Sequence, residues 1–145
     1  MKVIVCGAGP VGAGIAEQLV NEGNDVTIIG MTEVLLDKIR HKLDLNCVLG
    51  FPSHPSILKA AGAGDADMII AVTDSDEINM VTSYIASNLF GVKKKIAHIR
   101  HHSYLGKYHD SIFSTDTFPI DLMISPEKEV AKAISNRLHV PGANE

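Results

Sequence analysis

The 145-residue sequence has little of several things, and each scarcity excludes a class of protein. It contains no tryptophan, only two cysteines, and 5% aromatic residues. Two cysteines are too few for the disulfide scaffold of a small secreted domain. A membrane-spanning helix needs roughly 18 consecutive apolar residues, whereas the longest uninterrupted apolar run is MIIAV at residues 68–72. The sequence therefore predicts neither a disulfide-rich module nor a membrane-spanning chain.

An excess of basic charge is also missing. The sequence has 13 Lys and Arg against 17 Asp and Glu, for a formal net charge of −4. Nucleic-acid-binding domains usually carry a basic face, and the single basic run, Lys93-Lys94-Lys95, is typical of a solvated loop that leads into a strand. We expect no nucleic-acid partner. The 46% hydrophobic and 21% charged residues predict one ordinary globular domain and exclude a disordered chain.

The two cysteines indicate a reducing compartment. Cys6 and Cys47 both lie in apolar runs, which favours reduced, buried thiols over a disulfide. The N-terminus has no secretory pattern, because Lys2 is followed at once by a short apolar strand and then by glycines. We expect a cytoplasmic protein.

Short β-rich segments alternate with segments of helical periodicity along the chain. Such alternation is typical of βαβ units, and the continuous apolar segment 68–72 indicates a strand buried on both faces. We predict an α/β fold, a Rossmann-type doubly wound parallel six-stranded sheet with helices on both faces. The predicted strands are 2–6, 25–29, 47–49, 68–72, 96–99 and 122–124, the predicted helices are 11–22, 33–43, 54–61, 76–90 and 127–138, and residues 100–119 show no clear period.

A glycine-rich turn directly follows the first predicted strand and opens the first helix, as in a dinucleotide-binding βαβ unit. In that role Gly7 permits the tight turn, Gly9 lets a pyrophosphate approach the backbone, and Gly12 lets the helix pack closely on the sheet. The phosphates would meet free N–H groups at the positive end of the helix dipole. The alternative is a turn that serves packing alone. The candidate residues are Gly7, Ala8, Gly9, Pro10, Val11 and Gly12.

The end of the second predicted strand departs from the dinucleotide pattern. An Asp or Glu there usually accepts hydrogen bonds from ribose, but the position is occupied by Gly30. The missing acceptor removes about 1.5–3 kcal/mol, which corresponds to about 10- to 150-fold weaker binding if nothing replaces it. Thr32 and Glu33 are the candidate substitutes, and Met31-Thr32 supplies no Arg for a phosphorylated ribose.

Two further strand ends carry candidate residues, since ligands bind at the carboxyl ends of parallel strands. Thr73 and Asp74 follow the fourth strand and would lie beside a nucleotide, cap the next helix, or do both. Strand alternation places His98, Arg100 and His102 on one face of the fifth strand, where they could approach phosphates. We predict no metal site, because no acid or cysteine accompanies these histidines at ligand spacing.

Three segments resemble the TrkA N-terminal domain family, also called the KTN or RCK domain. They are KVIVCGAGPVGAGIAEQLVNEGNDVTIIG, LGFPSHPSILKAAGAGDADMIIAVTDSDEINM and FPIDLMISPEKEVAKAI. The resemblance covers essentially the whole chain, and AGAGDADMIIAVTDSDEINM is far more specific than the glycine motif. This family forms part of the peripheral subunit of bacterial Trk potassium uptake systems.

The resemblance implies a non-catalytic nucleotide-binding regulator. It implies a site for NAD(H) or an adenine nucleotide such as ATP or ADP, with the pyrophosphate at residues 7–11 and with Thr73 and Asp74 as matching contacts. Gly30 stands where the family has a ribose-binding Asp, His98 where it has an Arg facing the ligand, and Arg100 keeps the second basic residue.

The resemblance also implies partners and a location. The expected partner is a separate potassium-conducting membrane subunit of the TrkH/TrkG type, and the expected assembly is a homodimer or a larger ring. The expected location is cytoplasmic and peripheral, at the inner face of the cell membrane. We expect residues 1–138 to form the nucleotide-binding domain and residues 139–145 to be a linker toward a missing C-terminal domain.

Two alternatives remain at this stage. The first is a fragment of an NAD(P)-dependent oxidoreductase, for which the only catalytic candidates are His98, Arg100, His101 and His102. The second is a protein-interaction module that has lost nucleotide binding, as Gly30 and His98 would permit.

Overall fold

Parallel strands form the centre of the part of the chain that the computed structural model describes, residues 1–114 and 118–121. The strands are β1 (Lys2–Cys6), β2 (Asp25–Gly30), β3 (Asn46–Leu49), β4 (Met68–Ala71) and β5 (Lys94–Ala97). They pair in the order β3-β2-β1-β4-β5, and every pairing is parallel. The chain reverses its direction of travel across the sheet between β3 and β4. A topological switch point therefore lies between β1 and β4.

Helices cover both faces of this sheet. In the described residues they are α1 (Pro10–Asn21), α2 (Glu33–Arg40), α3 (Pro55–Ala60), α4 (Asp76–Asn88), α5 (His102–Leu105) and α6 (His109–Ile112), and a 3-10 turn lies at Ala63–Asp65. The predicted doubly wound α/β fold is confirmed. The predicted sixth strand (122–124) and last helix (127–138) lie outside the described residues.

Strand alternation divides the core into two layers. In β1, Val3 and Val5 pack with α1 and α2, whereas Ile4 and Cys6 pack with the layer beneath α3 and α4. Because strand side chains alternate between faces, a strand with helices on both sides must be apolar throughout, which explains the continuous apolar sequences of β1 and β4.

The stretch that lacked a clear period in the sequence contains two single-turn helices, α5 and α6. The His101 side chain accepts a hydrogen bond from the Ser103 amide at the start of α5. The Tyr104 hydroxyl donates to Glu77 Oε2 at 2.6 Å and connects α5 to α4. A four-residue helix is too short to show apolar periodicity, so these contacts had no signature in the sequence.

The cysteines are both free thiols, as predicted. Cys6 is fully buried, and burial raises its pKa far above the ordinary value. Cys47 is half-buried rather than buried, and its pKa is raised mainly by partial burial. Across the described part of the chain, every helix is too short or too polar to cross a bilayer.

Candidate functional site

A cleft of about 250 Å³ opens where β1, β2 and β4 end. Its position follows from the topology, because the chain leaves β1 toward one face and β4 toward the other, and the two exits leave a gap. The residues that line it are Gly7, Ala8, Gly9, Pro10, Val11, Ile29, Met31, Thr32, Leu35, Pro52, Val72, Thr73 and Asp74. Seven of the residues predicted for the site are in this set, the five from Gly7 to Val11 together with Thr73 and Asp74.

Two glycines of the turn are required by the protein itself. Gly7 has a φ of +118°, and a Cβ on it would lie 2.8 Å from the carbonyl oxygen of Val72. A Cβ on Gly12 would lie 1.8 Å from the carbonyl oxygen of Gly7. Gly12 does not line the cleft. It lets α1 start directly against the turn, and any side chain there would push the helix away.

Gly9 is constrained differently. A Cβ on Gly9 would meet no described atom within 4 Å, and the residue adopts an ordinary extended conformation with φ −74° and ψ −171°. Within the described residues, the N–H groups of Gly9, Val11 and Gly12 make no hydrogen bond. The turn therefore presents unpaired donors beneath an open space that a side chain at position 9 would fill.

The electrostatics of the cleft come mainly from the backbone. Among the described residues that line it, Asp74 is the only charged one. A bound phosphate would be held by the N–H groups of the turn and by the positive end of the α1 dipole, and the first turn of α1 has no acidic residue to oppose it.

Gly30 occupies the position of the usual ribose acid, but it does not line the cleft. A Cβ on Gly30 would lie 2.8 Å from Leu36 Cδ2 and 2.9 Å from Ala8 Cβ. The space is therefore filled by a fully buried leucine of α2. The next two residues, Met31 and Thr32, form that wall of the cleft instead.

Of the two substitutes predicted from the sequence, Thr32 is the better placed. Thr32 is the N-cap residue of α2, but its side chain makes no capping hydrogen bond, and it lines the cleft. The Glu33 carboxylate is not a lining group and pairs with Arg40 at 2.6 Å.

At the end of β4, different residues cap the next helix and line the cleft. The capping role belongs to Ser75, whose hydroxyl accepts a hydrogen bond from the Ile78 amide at 3.2 Å. Thr73 lines the cleft, while its hydroxyl donates to Asn79 Oδ1 at 2.6 Å. Asp74 is exposed at the rim.

Asn79 is a structural residue of the site that sequence reasoning did not identify. It is fully buried, and its Oδ1 accepts from the Thr73 amide at 2.9 Å as well as from the Thr73 hydroxyl. Its Nδ2 donates to the carbonyl oxygens of Thr73 at 3.1 Å and His98 at 2.7 Å. One amide side chain thus joins the ends of β4 and β5. The only sequence signal was a polar residue on the sheet-facing side of an amphipathic helix.

The prediction of one strand face for His98, Arg100 and His102 is wrong. Strand β5 ends at Ala97, and His102 begins α5. Beyond the strand, the buried Asp76 carboxylate accepts the amides of Arg100 at 2.9 Å and His101 at 2.8 Å. These side-chain acceptors replace the strand ladder and turn the chain away from the sheet.

The basic residues consequently stand outside the cleft. The guanidinium of Arg100 donates to the carbonyl oxygen of Asp74, and neither Arg100 nor His98 lines the cleft. Among the described residues there is no group of three potential metal ligands.

The parallel sheet, the glycine turn and the cleft at the switch point together define a Rossmann-type domain. A family model described as the TrkA-N domain matches residues 3–126. The chain belongs to that family.

Curated relatives agree with this assignment. The chain is 47% identical over 143 residues to the Trk system potassium uptake protein TrkA of Azorhizobium caulinodans and 45% identical over 143 residues to that of Haemophilus influenzae. Each match covers 99% of this chain and 31% of the relative. The chain thus spans about a third of the length of these proteins.

Solved structures share the fold at low identity. The TrkA-N domain of the inner membrane protein ybaL from Escherichia coli is similar with a TM-score of 0.72 at 17% identity, covering 95% of this chain and 96% of that one. The Kef CTD of Shewanella denitrificans in AMP-bound form gives 0.67 at 16%, covering 96% and 83%. The GsuK channel bound to NAD gives 0.68 at 15%, covering 85% and 21%.

Proposed function

We propose that this chain is a non-catalytic nucleotide-binding domain that regulates a separate potassium-conducting membrane subunit of the TrkH/TrkG type. The observation that carries the proposal is the open space above Gly9, with unpaired backbone donors beneath it, at the switch point of a TrkA-N domain. The ligand class is NAD(H) or an adenine nucleotide. Its support is the backbone cradle together with fold neighbours described as bound to NAD, AMP and ADP.

In this proposal the site residues divide into three groups. Residues Gly7 to Val11 surround the diphosphate, which accepts hydrogen bonds from the backbone N–H groups of Gly9, Val11 and Gly12. Gly12 also supports the turn. Thr73 and Asp74 form the opposite wall. His98 and Arg100 act as positioning residues, because their hydrogen bonds to Asn79 and to the Asp74 carbonyl connect β5 to that wall.

The regulatory mechanism follows from linkage. A ligand shifts an equilibrium between two assembly states only if its affinity for the two states differs. We place the domain in the cytoplasm, peripheral at the inner face of the cell membrane, as a homodimer or part of a larger ring, where a change in cleft geometry can act on the membrane subunit.

Calorimetry on the full chain tests the binding site with ADP, ATP, NAD⁺ and NADH. Gly9→Ala is expected to weaken binding at least about tenfold, because the methyl group occupies the phosphate space. Gly14→Ala is the matched control, since a Cβ at this exposed position of α1 also meets no described atom within 4 Å, and its affinity should equal that of the wild type. Equal loss in both variants, or no binding to the wild type, would contradict the proposed site.

A second experiment tests the regulatory role. Potassium flux through the membrane subunit in vesicles should depend on the added nucleotide in the presence of the wild-type chain and lose that dependence with Gly9→Ala. Oxidation of NADH with a panel of carbonyl substrates should show no turnover. Turnover in the wild type together with nucleotide-independent flux would favour the oxidoreductase alternative.

A further inference from the structure

At the end of β2, where a dinucleotide site usually binds the ribose, the cleft has no acidic side chain, and the space for one is filled. We call this part of the cleft, lined by Met31 and Thr32, the ribose end. In the usual site an Asp or Glu at the end of the second strand accepts hydrogen bonds from the 2′-hydroxyl of adenosine, whereas sites that take a 2′-phosphate place an Arg nearby. Here the position is Gly30, and Leu36 and Ala8 fill the volume within 2.9 Å of where its Cβ would lie.

The groups that remain at this end are neutral. Met31, Thr32, Leu35 and Pro52 form the wall, so among the described lining residues there is no Lys or Arg to attract a 2′-phosphate. The nearest acid in the sequence, Glu33, is held by Arg40 at 2.6 Å and is not a lining group. The Thr32 hydroxyl makes no capping bond and can donate to either a hydroxyl or a phosphate oxygen.

We propose that the cleft binds adenine nucleotides without distinguishing a 2′-hydroxyl from a 2′-phosphate, so that NAD⁺ and NADP⁺ are ligands of the same class. This inference rests on the proposed nucleotide site and concerns only its selectivity. Without an acid to repel the phosphate and without a Lys or Arg to bind it, neither the 2′-hydroxyl nor the 2′-phosphate meets a charged side chain that favours it. The diphosphate and the apolar wall supply the common binding energy.

The direct test is a pairwise comparison on the full chain at about 0.15 M salt, where distant surface charges are screened. Calorimetry measures NAD⁺ against NADP⁺ and, as a smaller pair, AMP against adenosine 2′,5′-bisphosphate. We expect the two affinities in each pair to agree within about threefold. A preference of about tenfold or more for either member overturns the inference.

A matched pair of variants at Thr32 tests whether this wall of the cleft contacts the 2′ position of the ribose. Thr32→Asp places a carboxylate at the neutral wall, and Thr32→Asn is its uncharged counterpart of similar shape. Both are good N-cap residues, so α2 is retained. We expect Thr32→Asp to bind NADP⁺ at least about tenfold more weakly than NAD⁺, because the carboxylate repels the 2′-phosphate, while Thr32→Asn leaves the ratio near one. A ratio unchanged in Thr32→Asp means that the ribose does not lie at this wall and overturns the inference.

The failure of this inference differs from the failure of the proposed function. If the wild type binds NAD⁺ but rejects NADP⁺, the nucleotide site stands and only the lack of selectivity is refuted. If none of the four ligands binds and Gly9→Ala changes nothing, the site itself is refuted, and the selectivity inference fails with it.

Discussion

The glycine turn needs glycine for a different reason at each of its three positions, Gly7, Gly9 and Gly12. Gly7 needs its positive φ, Gly12 needs contact with the Gly7 carbonyl, and Gly9 needs neither. The motif spacing predicted these separate roles for the three residues, because the roles follow from the strand–turn–helix geometry alone. The spacing could not show that the space above Gly9 is open, which depends on atoms of β2 and β4.

The first prediction compares the effects of alanine at Gly12 and at Gly9 on the free energy of unfolding. Gly12→Ala should lower the free energy of unfolding by more than about 2 kcal/mol, because its Cβ would lie 1.8 Å from a backbone oxygen that can move only with the turn. Gly9→Ala should change it by less than about 1 kcal/mol. Urea denaturation followed by circular dichroism measures both. A larger loss for Gly9→Ala than for Gly12→Ala would contradict the packing described here.

At Gly30, the motif predicts the position of the residue but not the side chains that pack around it. Its register at the end of β2 was predicted, and it pairs with Leu49 there. The sequence alone does not say that a residue six positions further on fills the acid's place. Leu36 does so because α2 folds back over the end of the strand, and that is a tertiary contact.

At the scale of elements, the site depends on how the ends of β4 and β5 are joined to α4. Two side chains of α4 bond the backbone groups that follow the strands and are no longer paired within the sheet. Asn79 both accepts and donates such bonds, and Asp76 accepts them. Strand and helix positions could be predicted within a few residues from periodicity. The exit of the chain after Ala97 could not, because two buried polar side chains determine it and periodicity does not register them.

The second prediction concerns this junction. Asn79→Ala should destabilise the protein by about 2–4 kcal/mol, since it removes the acceptor of the buried Thr73 amide and hydroxyl and the donor to the carbonyl oxygens of Thr73 and His98. Asn88→Ala is the control on the same helix, where the exposed side chain bonds only the Tyr84 carbonyl, and it should cost less than about 0.5 kcal/mol. Equal losses measured by thermal denaturation would refute the role of Asn79 as a junction.

The third prediction uses the contact between α4 and α5. The hydrogen bond from Tyr104 lowers the pKa of Glu77, and the same bond raises the pKa of Tyr104. A lowered carboxylate pKa contributes stability that is present above the unfolded-state pKa and is lost as pH falls through the folded-state value. A raised phenol pKa contributes stability that is lost as pH rises through the folded-state value. Tyr104→Phe should therefore lower the melting temperature slightly between about pH 5 and 9, and this effect should shrink progressively as pH falls below the ordinary Glu pKa of about 4.3.

Tyr84→Phe is the control for that comparison. Its hydroxyl makes no hydrogen bond within residues 1–114 and 118–121, and its ring packs edge-on against Phe118. Its difference from the wild type should not vary with pH. A Tyr104→Phe effect that persists unchanged at pH 3 would show that ring packing, and not the carboxylate, carries the contact.

At the scale of the whole molecule, the cleft is assembled from segments far apart in the chain. The glycine turn follows β1, Met31 and Thr32 follow β2, Pro52 follows β3, and Thr73 follows β4. The alternating pattern predicted this convergence, because parallel strands end at one edge of the sheet. The division at residue 138 and the sixth strand at 122–124 stay predictions. At the last described residue, the Asp121 amide donates to the Lys95 carbonyl oxygen of β5 at 2.8 Å.

The fourth prediction follows from that convergence and is tested by hydrogen exchange on the full chain with saturating ADP. A ligand that binds only the folded state stabilises it by about 2.7 kcal/mol at a hundred times its Kd, which slows exchange everywhere that requires global unfolding. The additional local protection should lie in residues 7–12, because the N–H groups of Gly9, Val11 and Gly12 acquire phosphate acceptors that they lack within the described chain. Smaller protection should appear at residues 31–35 and 73–74. Gly9→Ala should reduce this local protection when ADP is held near the wild-type Kd, in proportion to the loss of affinity. Protection confined to α5 and α6 would place the ligand away from the switch point, and the coupling of strand ends by a nucleotide would then have no structural basis.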